Sequence, residues 1–340
     1  MTVNLGLIGC GRIGQVHADS INANADARLV RVFDPVEASA RTVADRFDTS
    51  WTTRVEQIID DPGIDAVVAA SPTPTHVELT TQAVEAGKAV LCEKPIDLDV
   101  ATVDACRERL GKRTDRVLVG FNRRFDPSFA DVHARVRAGE IGGLEQLIIV
   151  SRDPAPPPAG YVAGSGGLFK DMTIHDFDMA RFFLGEVVEV TAFGSNLIDP
   201  GIASAGDIDG AVVLLRGASG ALCTITNSRR CSFGYDQRLE AFGERGMLSA
   251  ANQLPTTVRF SGAEHTEAAA PYLNFFLDRY TPAYRAELAH FLAVARGEVA
   301  PSPGFGDGRD ALVLAEAAGK SLRTGAAVRV DGSVAGGSAA

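Results

Sequence analysis

The stretch "LGLIGCGRIGQVHADSI", residues 5–21, decides the fold of the first part of the chain. It contains Gly9, Gly11 and Gly14 in the spacing G-x-G-x-x-G, after an apolar run and before a helical pattern. In such a loop the glycines permit a tight turn, close approach of a pyrophosphate to the backbone, and tight packing of the helix on the strand. Amide groups at the start of the helix then bind the anion. The stretch therefore predicts a dinucleotide-binding loop.

A carboxylate follows this loop at the distance expected for a residue that binds the nucleotide ribose. Asp34 ends the second predicted strand, about 20 residues after Gly14, where it can accept hydrogen bonds from the adenosine ribose hydroxyls. A carboxylate there repels the 2′-phosphate of NADP, so the sequence favours NAD. In the alternative interpretation, Asp34 only begins a turn before Pro35.

The first 121 residues alternate short apolar runs with helical patterns. Runs without polar alternation that are separated by helices are typical of buried parallel strands. The predicted strands are residues 3–8, 28–33, 65–71, 88–92 and 116–121. We therefore expect an α/β fold that begins with a doubly wound, Rossmann-type parallel sheet over residues 1–121.

After Phe121 the pattern changes to strands joined by glycine-containing turns. The connections "RGASGA" and "GERGM" are typical of hairpins, so the second sheet is expected to be large, open and mostly antiparallel. Two helices are predicted near residues 280–296 and 307–323. We expect this α+β domain over residues 122–330 and a flexible tail over residues 331–340, which have no apolar pattern.

Composition and charge limit the possible functions. The chain has 340 residues, enough for two domains, and its formal net charge of −10 argues against partners such as nucleic acids or anionic membranes. No apolar stretch approaches the roughly 20 residues of a membrane span, and the N-terminal run lacks the basic start of a signal peptide. The five cysteines include no C-x-x-C pair, which suggests neither a disulfide framework nor a zinc site. We expect a cytoplasmic protein that uses no metal.

Two further loops follow predicted parallel strands, at the edge where doubly wound folds bind ligands. The prolines of "SPTPTH", residues 71–76, stiffen a segment that could lie along the cofactor, and we interpret His76 as a packing residue at a helix start rather than a catalyst. "LCEKPI" places Lys94 just after a buried strand, where its ammonium could polarise a reacting oxygen. Alternatively, Lys94 is a solvated turn residue before Pro95.

The stretch "GGLFKDMTIHDFDMARFFL", residues 166–184, mixes charged and apolar residues on a predicted helix. Asp171 and His175 share one face, whereas Lys170 and Asp176 point elsewhere and are expected to be solvated. A carboxylate one turn before an imidazole can orient it and raise its basicity, as an acid–base catalyst requires. Alternatively, Asp171 is a helix cap and His175 an ordinary helical residue; a metal site is less favoured because no third ligand is placed.

Six stretches together resemble the Gfo/Idh/MocA family, which includes glucose–fructose oxidoreductase and inositol dehydrogenases. They extend over nearly the whole chain, to about residue 330, and are "GLIGCGRIGQVHADSI", "SPTPTHVEL", "LCEKPIDLD", "GFNRRFDPSF", "GGLFKDMTIHDFDMARFFLG" and "GYDQRLEAFGERGML". "EKP" is typical of the broad family, and "GFNRRFDPSF" combined with "DMTIHDFDMARF" looks like inositol 2-dehydrogenases. The resemblance implies an NAD(P)-binding Rossmann domain, a C-terminal domain for substrate binding and oligomerisation, and a sugar or polyol held between them.

The resemblance also assigns site residues through their motifs. Lys94 of "EKP" matches the family's catalytic lysine, and Asp171 and His175 of "DMTIH" match its catalytic Asp and His. The expected substrate-binding residues are Lys94, Arg152, Asp153, Asp171, His175 and Tyr235, of which Arg152 and Asp153 lie in a segment that varies among inositol dehydrogenases. Together with the glycine loop, the expected cofactor-binding residues are Gly9, Gly11, Arg12, Ile13, Gly14, Asp34, Ser71, Pro72, Thr73, His76, Glu93, Lys94 and Arg123.

The resulting hypothesis is the NAD-dependent oxidation of myo-inositol to 2-keto-myo-inositol. His175 takes the hydroxyl proton, Asp171 orients His175, and Lys94 hydrogen-bonds the reacting oxygen. Alternatives are a dehydrogenase of scyllo- or chiro-inositol, glucose or another cyclic polyol, and a non-catalytic sensor of sugars or dinucleotides with the same fold. The resemblance further implies a homo-oligomer, a dimer of dimers.

Overall fold

The apolar runs of the N-terminal part form a six-stranded parallel sheet in the computed structural model, which describes residues 1–330 apart from the side chains of Ala159 and Ala163. The strands are β1 (Val3–Ile8), β2 (Ala27–Phe33), β3 (Ser50–Thr52), β4 (Ala66–Ala69), β5 (Ala89–Cys92) and β6 (Val117–Val119). Their order, β3-β2-β1-β4-β5-β6, is that of a dinucleotide-binding sheet. The predicted doubly wound α/β sheet is confirmed. Only β3 was not predicted, because its sequence, Ser-Trp-Thr, contains a single apolar residue and no apolar run.

The helices that connect these strands bury one face each. They are α1 (Arg12–Asn22), α2 (Glu37–Phe47), α3 (Glu56–Ile59), α4 (His76–Glu85) and α5 (Val100–Leu110), with 3-10 turns at Thr73–Thr75, Gly111–Arg116 and Asn122–Phe125. Ala18 and Ile21 of α1 are fully buried in one cluster with Leu5 and Leu7 of β1. Each such large aliphatic side chain contributes roughly 1.5–3 kcal/mol on burial, so this cluster stabilises the strand–loop–helix that carries the glycines.

The remaining elements form a seven-stranded sheet, a two-stranded ribbon and seven helices within the described residues. The strands are β7 (Leu144–Arg152), β8 (Val187–Ser195), β9 (Gly210–Gly217), β10 (Leu222–Ser228), β11 (Asp236–Gly243), β12 (Gly246–Ala250), β13 (Arg259–Phe260), β14 (Ala268–Ala269) and β15 (Val328–Arg329). The helices are α6 (Pro127–Arg137), α7 (Ala159–Ser165), α8 (Ile174–Leu184), α9 (Pro200–Ser204), α10 (Phe276–Arg279), α11 (Thr281–Ala295) and α12 (Phe305–Thr324).

The large sheet has the order β12-β11-β7-β10-β9-β8-β15, and its only parallel pair is β7 with β10. The prediction of a mostly antiparallel sheet is confirmed, as are the hairpins β9–β10 and β11–β12. Helices α6 and α8 pack on one face of this sheet. Along β9 the other face remains exposed, since buried and exposed residues alternate from Ala211 to Gly217.

The described chain divides into two units whose boundary differs from the expected one. The first unit comprises residues 1–126 and 281–312, and the second comprises residues 127–280 together with the chain from Val313. Helix α11 thus joins the first unit, where Phe291 enters the core of the parallel sheet. Separate domains over 1–121 and 122–330 stay a prediction, and the expected tail, residues 331–340, lies outside the described residues.

Three expectations from composition can be compared with residues 1–330. No helix in this range combines the length and apolar character of a membrane span. The five cysteines are buried and form no disulfide. In the same range no group of three or more His, Cys, Asp or Glu side chains could hold a metal ion.

Candidate functional site

Of the three glycines in the loop, only Gly11 has room for a side chain, whereas Gly9 and Gly14 have none. Gly9 has a φ of +100°, and a Cβ atom there would lie 2.6 Å from the carbonyl oxygen of Ala70. A Cβ atom on Gly14 would collide with the carbonyl oxygen of Gly9, whereas one on Gly11, at the start of α1, would meet no atom within 4 Å. Gly9 and Gly14 are therefore required by packing, and Gly11 keeps the outer surface of the loop clear, as the approach of a pyrophosphate requires.

Asp34 is tied to the same loop. Its Oδ2 accepts a hydrogen bond from the Cys10 amide (2.9 Å), and its Oδ1 accepts one from the Val36 amide (2.9 Å). The carboxylate therefore has a fixed position beside the glycines, which fits hydrogen bonding to a ribose diol and opposes a 2′-phosphate. Burial, and then the charge of Asp34, raise the pKa of the Cys10 thiol to about 12, so this thiol remains neutral. Arg12 and Ile13 are the first two residues of α1.

The loop that follows β4 is held by a buried histidine. The Nδ1 atom of His76 lies 2.8 Å from the carbonyl oxygen of Pro95, and its Nε2 atom lies 2.7 Å from that of Ser71. Because both ring nitrogens face backbone carbonyls, His76 joins the Ser71 loop to the segment after β5, and its contact with a cofactor stays a prediction. Pro72 and Thr73 lie on the turn that this histidine holds.

Glu93 is buried, and its carboxylate contacts protein groups, one of which is the backbone of Lys94. Its Oε1 is 2.8 Å from Nε2 of the buried His17, and its Oε2 accepts a hydrogen bond from the Lys94 amide (3.2 Å). Burial alone would raise the pKa of Glu93, but the hydrogen bond from His17 and the charges of His17, Lys94 and His76 lower it below its usual value. Since both oxygens are used inside the protein, this geometry favours a role in fixing the Lys94 backbone over direct contact with a cofactor.

The expected cofactor residues of the first unit follow successive strands of one parallel sheet. The glycine loop follows β1, Asp34 follows β2, the Ser71 loop follows β4 and Lys94 follows β5. Arg123 lies in the 3-10 turn after β6 and is buried. All of them lie beyond the carboxyl ends of parallel strands, the edge at which open α/β sheets bind ligands.

In the second unit, Asp171 and His175 lie on either side of a change in helix type. Residues Phe169–Thr173 form a π-helical turn that contains Asp171, and His175 is the second residue of α8. Single π turns within helices occur frequently at functional sites. The Asp171 carboxylate accepts a hydrogen bond from the Tyr161 hydroxyl at Oδ1 (2.9 Å). The spacing of Asp171 and His175 therefore belongs to a locally widened helix, which the sequence did not indicate.

The expectation that Asp176 is solvated is wrong. Asp176 is fully buried, and its carboxylate accepts hydrogen bonds from Ser151 Oγ (2.5 Å) and Asn227 Nδ2 (2.7 Å). These donors belong to β7 and β10, which are distant in sequence and cover this side of α8. Lys170, by contrast, is only partly buried and pairs with Glu316 (3.1 Å).

Arg152 and Asp153 are at the end of β7. Arg152 pairs with the fully buried Asp236 (2.9 Å), which also accepts hydrogen bonds from Arg238 and Asn252. Burial alone would raise the pKa of Asp236, but the hydrogen bonds from Arg238 and Asn252 and the charges of both arginines lower it. Arg152 is thus already engaged by the protein, and its contact with substrate stays a prediction.

Tyr235 precedes β11 and is buried by aromatic neighbours. Its ring lies edge-on to Phe275 and Tyr280, with ring centroids 6.1 and 5.9 Å apart. Its amide donates a hydrogen bond to the carbonyl oxygen of Leu273 (2.9 Å). These contacts fix the backbone and ring of Tyr235, while its contact with substrate also stays a prediction.

Sequence motifs did not reveal Arg229, a buried arginine that faces Asp171. The only sequence signal is the alternation along β10. Cys223, Ile225 and Asn227 point to the covered face of the sheet, and Arg229 continues this period of two. An arginine in a row of buried positions is unusual, because a buried guanidinium requires partners.

Comparisons with known proteins find matches over most of the chain. Residues 3–121 match the family model described as "Oxidoreductase family, NAD-binding Rossmann fold", and residues 129–249 match that of the GFO/IDH/MocA C-terminal domain. The inositol 2-dehydrogenase of Rhizobium meliloti is 47% identical over 324 residues, which cover 95% of this chain and 97% of that protein.

Solved structures show the same fold over nearly the full length. A myo-inositol dehydrogenase from Corynebacterium glutamicum has a TM-score of 0.95 and 52% identity, and the match covers 98% of this chain and 100% of that one. A more distant structure is the scyllo-inositol dehydrogenase from Lactobacillus casei with bound NAD(H) and scyllo-inositol. It has a TM-score of 0.89 and 28% identity, with 97% of this chain and 99% of that one covered.

Proposed function

This chain belongs to the Gfo/Idh/MocA family of oxidoreductases, and we propose that it oxidises one ring hydroxyl of myo-inositol to a ketone, giving 2-keto-myo-inositol, with NAD as acceptor. The observation that carries this proposal is the nearly full-length identity, 47% and 52%, to proteins named as inositol dehydrogenases. The presence of Lys94, Asp171 and His175 at the positions expected for the catalytic groups supports it.

The first unit has the residues that an NAD-binding Rossmann domain requires. The surface over Gly11 is clear for a pyrophosphate, and Asp34 presents a fixed carboxylate beside it for the adenosine ribose. When bound, NAD would supply the acceptor for the hydride that leaves the carbon bearing the reacting hydroxyl. The protein contributes by binding both reactants in a defined orientation, which lowers the entropic part of the barrier.

The proposed proton transfer uses three residues. His175 accepts the hydroxyl proton, and Asp171 orients the imidazole and stabilises the imidazolium. Lys94 hydrogen-bonds the same oxygen and offsets the negative charge that develops on it. A positioned acid–base group of this kind contributes about 10²–10⁴ in rate. The proton then passes from His175 to solvent, which restores the neutral base.

The nearest alternative is another cyclic polyol or sugar, such as scyllo- or chiro-inositol or glucose. The similarity to a scyllo-inositol dehydrogenase favours scyllo-inositol among them, but at 28% identity it is much weaker than the similarity to myo-inositol dehydrogenases. A non-catalytic sensor is disfavoured, since all three proposed catalytic residues are present.

A panel of polyols tests the proposal directly. The purified protein is assayed by NADH or NADPH formation with myo-, scyllo- and chiro-inositol and glucose. We expect the highest kcat/KM with myo-inositol and NAD. His175→Ala removes the proposed base and leaves the glycine loop intact. This variant should therefore still bind NAD, while its turnover falls by about 10²-fold or more. Higher kcat/KM with another polyol or with NADP, or near-normal turnover of His175→Ala, would contradict the corresponding part of the proposal.

We further propose a cytoplasmic homotetramer, a dimer of dimers, that acts in myo-inositol catabolism. The exposed face of the seven-stranded sheet supports the oligomer, because it presents large apolar side chains. These are Ile148, Phe193, Val212, Leu214, Leu222, Phe242 and Met247. Apolar patches of this kind on a folded chain are typical of protein–protein interfaces.

A further inference from the structure

We propose that Arg229 is a positioning residue that holds the Asp171 carboxylate in the orientation that His175 requires. This role rests on the proposed function, because it acts through the proposed pair of Asp171 and His175. Arg229 is 1% exposed and therefore does not contact a substrate.

Arg229 lies between two carboxylates of the second unit. Its Nη1 atom is 3.6 Å from Asp171 Oδ2, and its Nη2 atom is 3.6 Å from Asp207 Oδ2. Its amide donates a hydrogen bond to the carbonyl oxygen of Asp209 (2.8 Å), which fixes the backbone where β10 ends. A guanidinium is a planar fork of donors and can face two carboxylates at once, which the point charge of a lysine cannot do in the same way.

These contacts restrain Asp171 from two directions. The Tyr161 hydroxyl donates to Oδ1, and the guanidinium of Arg229 faces Oδ2. Asp207, the second partner of Arg229, accepts a hydrogen bond from the amide of Leu168 (3.0 Å), the residue just before the π turn. Arg229 therefore links the start of the π turn to the carboxylate within it.

Strand β10 also contacts the π turn through a second residue, Asn227. Asn227 is two residues before Arg229, so both side chains point to the covered face of the sheet. The Thr173 hydroxyl donates to Asn227 Oδ1 (2.7 Å), and Asn227 Nδ2 donates to Asp176. The end of β10 thus contacts the π turn and the start of α8 at Asp171, Thr173 and Asp176.

The presence of a charged side chain at position 229 is explained by the carboxylates of Asp171 and Asp207 and not by packing. Within the described residues its Nε and Nη2 atoms donate no hydrogen bond, which makes the buried guanidinium costly. Cys223 and Ile225 fill the same strand face with apolar groups, and an apolar side chain at position 229 would continue that row. Without the guanidinium, however, Asp171 and Asp207 would repel each other, and the Asp171 carboxylate would rotate.

Kinetics of matched variants test this role. We expect Arg229→Met to lower kcat for the preferred polyol by about 10- to 100-fold, while KM and the Kd of NAD change less than about threefold. Arg229→Lys should recover part of kcat, because it restores the charge without the fork. The control is Arg230→Met, which removes the same charge from the exposed neighbour and should behave as wild type. Parallel losses of kcat and NAD binding would instead indicate a merely structural role and overturn the inference.

A double-mutant cycle tests whether Arg229 acts through Asp171. In an Asp171→Asn background, Arg229→Met should have little further effect on kcat, because the group that it positions has been removed. An undiminished loss in that background would overturn the inference. If Arg229→Met does not fold, Arg229→Lys becomes the test variant. A wild-type kcat in Arg229→Lys would then overturn the inference.

A crystal structure of the Arg229→Met or Arg229→Lys variant separates this role from the proposed function. We expect the Asp171 carboxylate to be rotated relative to the wild type, whichever substrate the enzyme oxidises. An unchanged carboxylate would overturn the positioning role even if the polyol panel succeeds. Failure of the panel with a rotated carboxylate would overturn the proposed function alone.

Discussion

Glu287 is a buried acid that forms no ion pair within residues 1–330. It lies on α11, is fully buried, and neither carboxylate oxygen has a hydrogen-bond partner within the described residues. Burial, and then the charge of Glu93, raise the pKa of Glu287 well above its ordinary value. Glu287 is therefore a neutral acid in the folded chain over part of the pH range in which it ionises in the unfolded chain.

This difference makes the contribution of Glu287 to the stability of the protein fall with rising pH. Below the unfolded-state pKa of about 4.3, both states hold the proton and Glu287 adds no pH dependence. Above it, the folded state binds more protons than the unfolded state, so the free energy of unfolding decreases by up to about 1.4 kcal/mol per pH unit until the folded-state pKa is reached. Glu287→Gln, a neutral side chain of the same shape, should remove this decrease.

Urea unfolding of wild type and Glu287→Gln over a pH series measures the effect. The stability advantage of Glu287→Gln should grow as pH rises above about 4.5. Glu298→Gln, at an exposed position soon after the same helix, is the control and should follow wild type. Parallel curves for wild type and Glu287→Gln would show that Glu287 is ionised in the folded state.

At the scale of elements, the strand–loop–helix of residues 3–22 contains glycines that are needed for two different reasons. A Cβ atom on Gly14 would collide with the Gly9 carbonyl oxygen, so α1 would have to move away from β1. A Cβ atom on Gly11 would meet no protein atom within 4 Å. One glycine is therefore required by the fold, and the other only by the approach of a ligand.

Gly14→Ala and Gly11→Ala should separate these two requirements. We expect Gly14→Ala to lose about 1–3 kcal/mol of stability through overpacking, whereas Gly11→Ala should keep the wild-type Tm. Both should bind NAD more weakly, Gly11→Ala because its methyl group occupies the space over the loop. Measurements of Tm and of the Kd of NAD check both statements. A wild-type Kd for NAD in Gly11→Ala would show that the pyrophosphate does not bind over Gly11.

For the whole molecule, the exposed face of the seven-stranded sheet carries large apolar side chains that the single chain leaves in contact with solvent. Phe193 and Met247 on this face are 63% and 52% exposed. In the register of the sheet, Leu214 lies between Thr191 and Thr224, near the middle of the face. A second copy of the chain would cover these side chains and stabilise the pair through apolar burial.

If this face forms the proposed oligomer, Leu214→Glu should weaken it without unfolding the chain. Because Leu214 is already exposed in the single chain, we expect a Tm close to wild type at low protein concentration and a smaller molar mass by light scattering. Val36→Glu introduces the same charge at an exposed apolar residue of the first unit and is the control. An unchanged mass for Leu214→Glu would exclude this face as the main interface.

The sequence by itself predicted the elements whose signals are local. The glycine spacing, the apolar runs and the hairpin turns predicted both sheets, because each depends on residues close together in the chain. The motifs around Asp34, Lys94 and His175 likewise identified candidate site residues, since each motif is one loop or one helix. Strand β3 and the π turn at Asp171 were not predicted, because β3 contains no apolar run and nothing in the residues around Asp171 distinguishes a π turn from an α-helix.

Only the tertiary structure decided what surrounds these residues. The burial of Asp176, the raised pKa of Glu287 and the ion pairs of Arg229 depend on partners that are far apart in sequence. The return of residues 281–312 to the first unit has the same origin, because Phe291 packs against strands of the N-terminal sheet. Desolvation and charge pairing depend on the distances between atoms in space, and spacing along the chain determines those distances only within a single turn or strand.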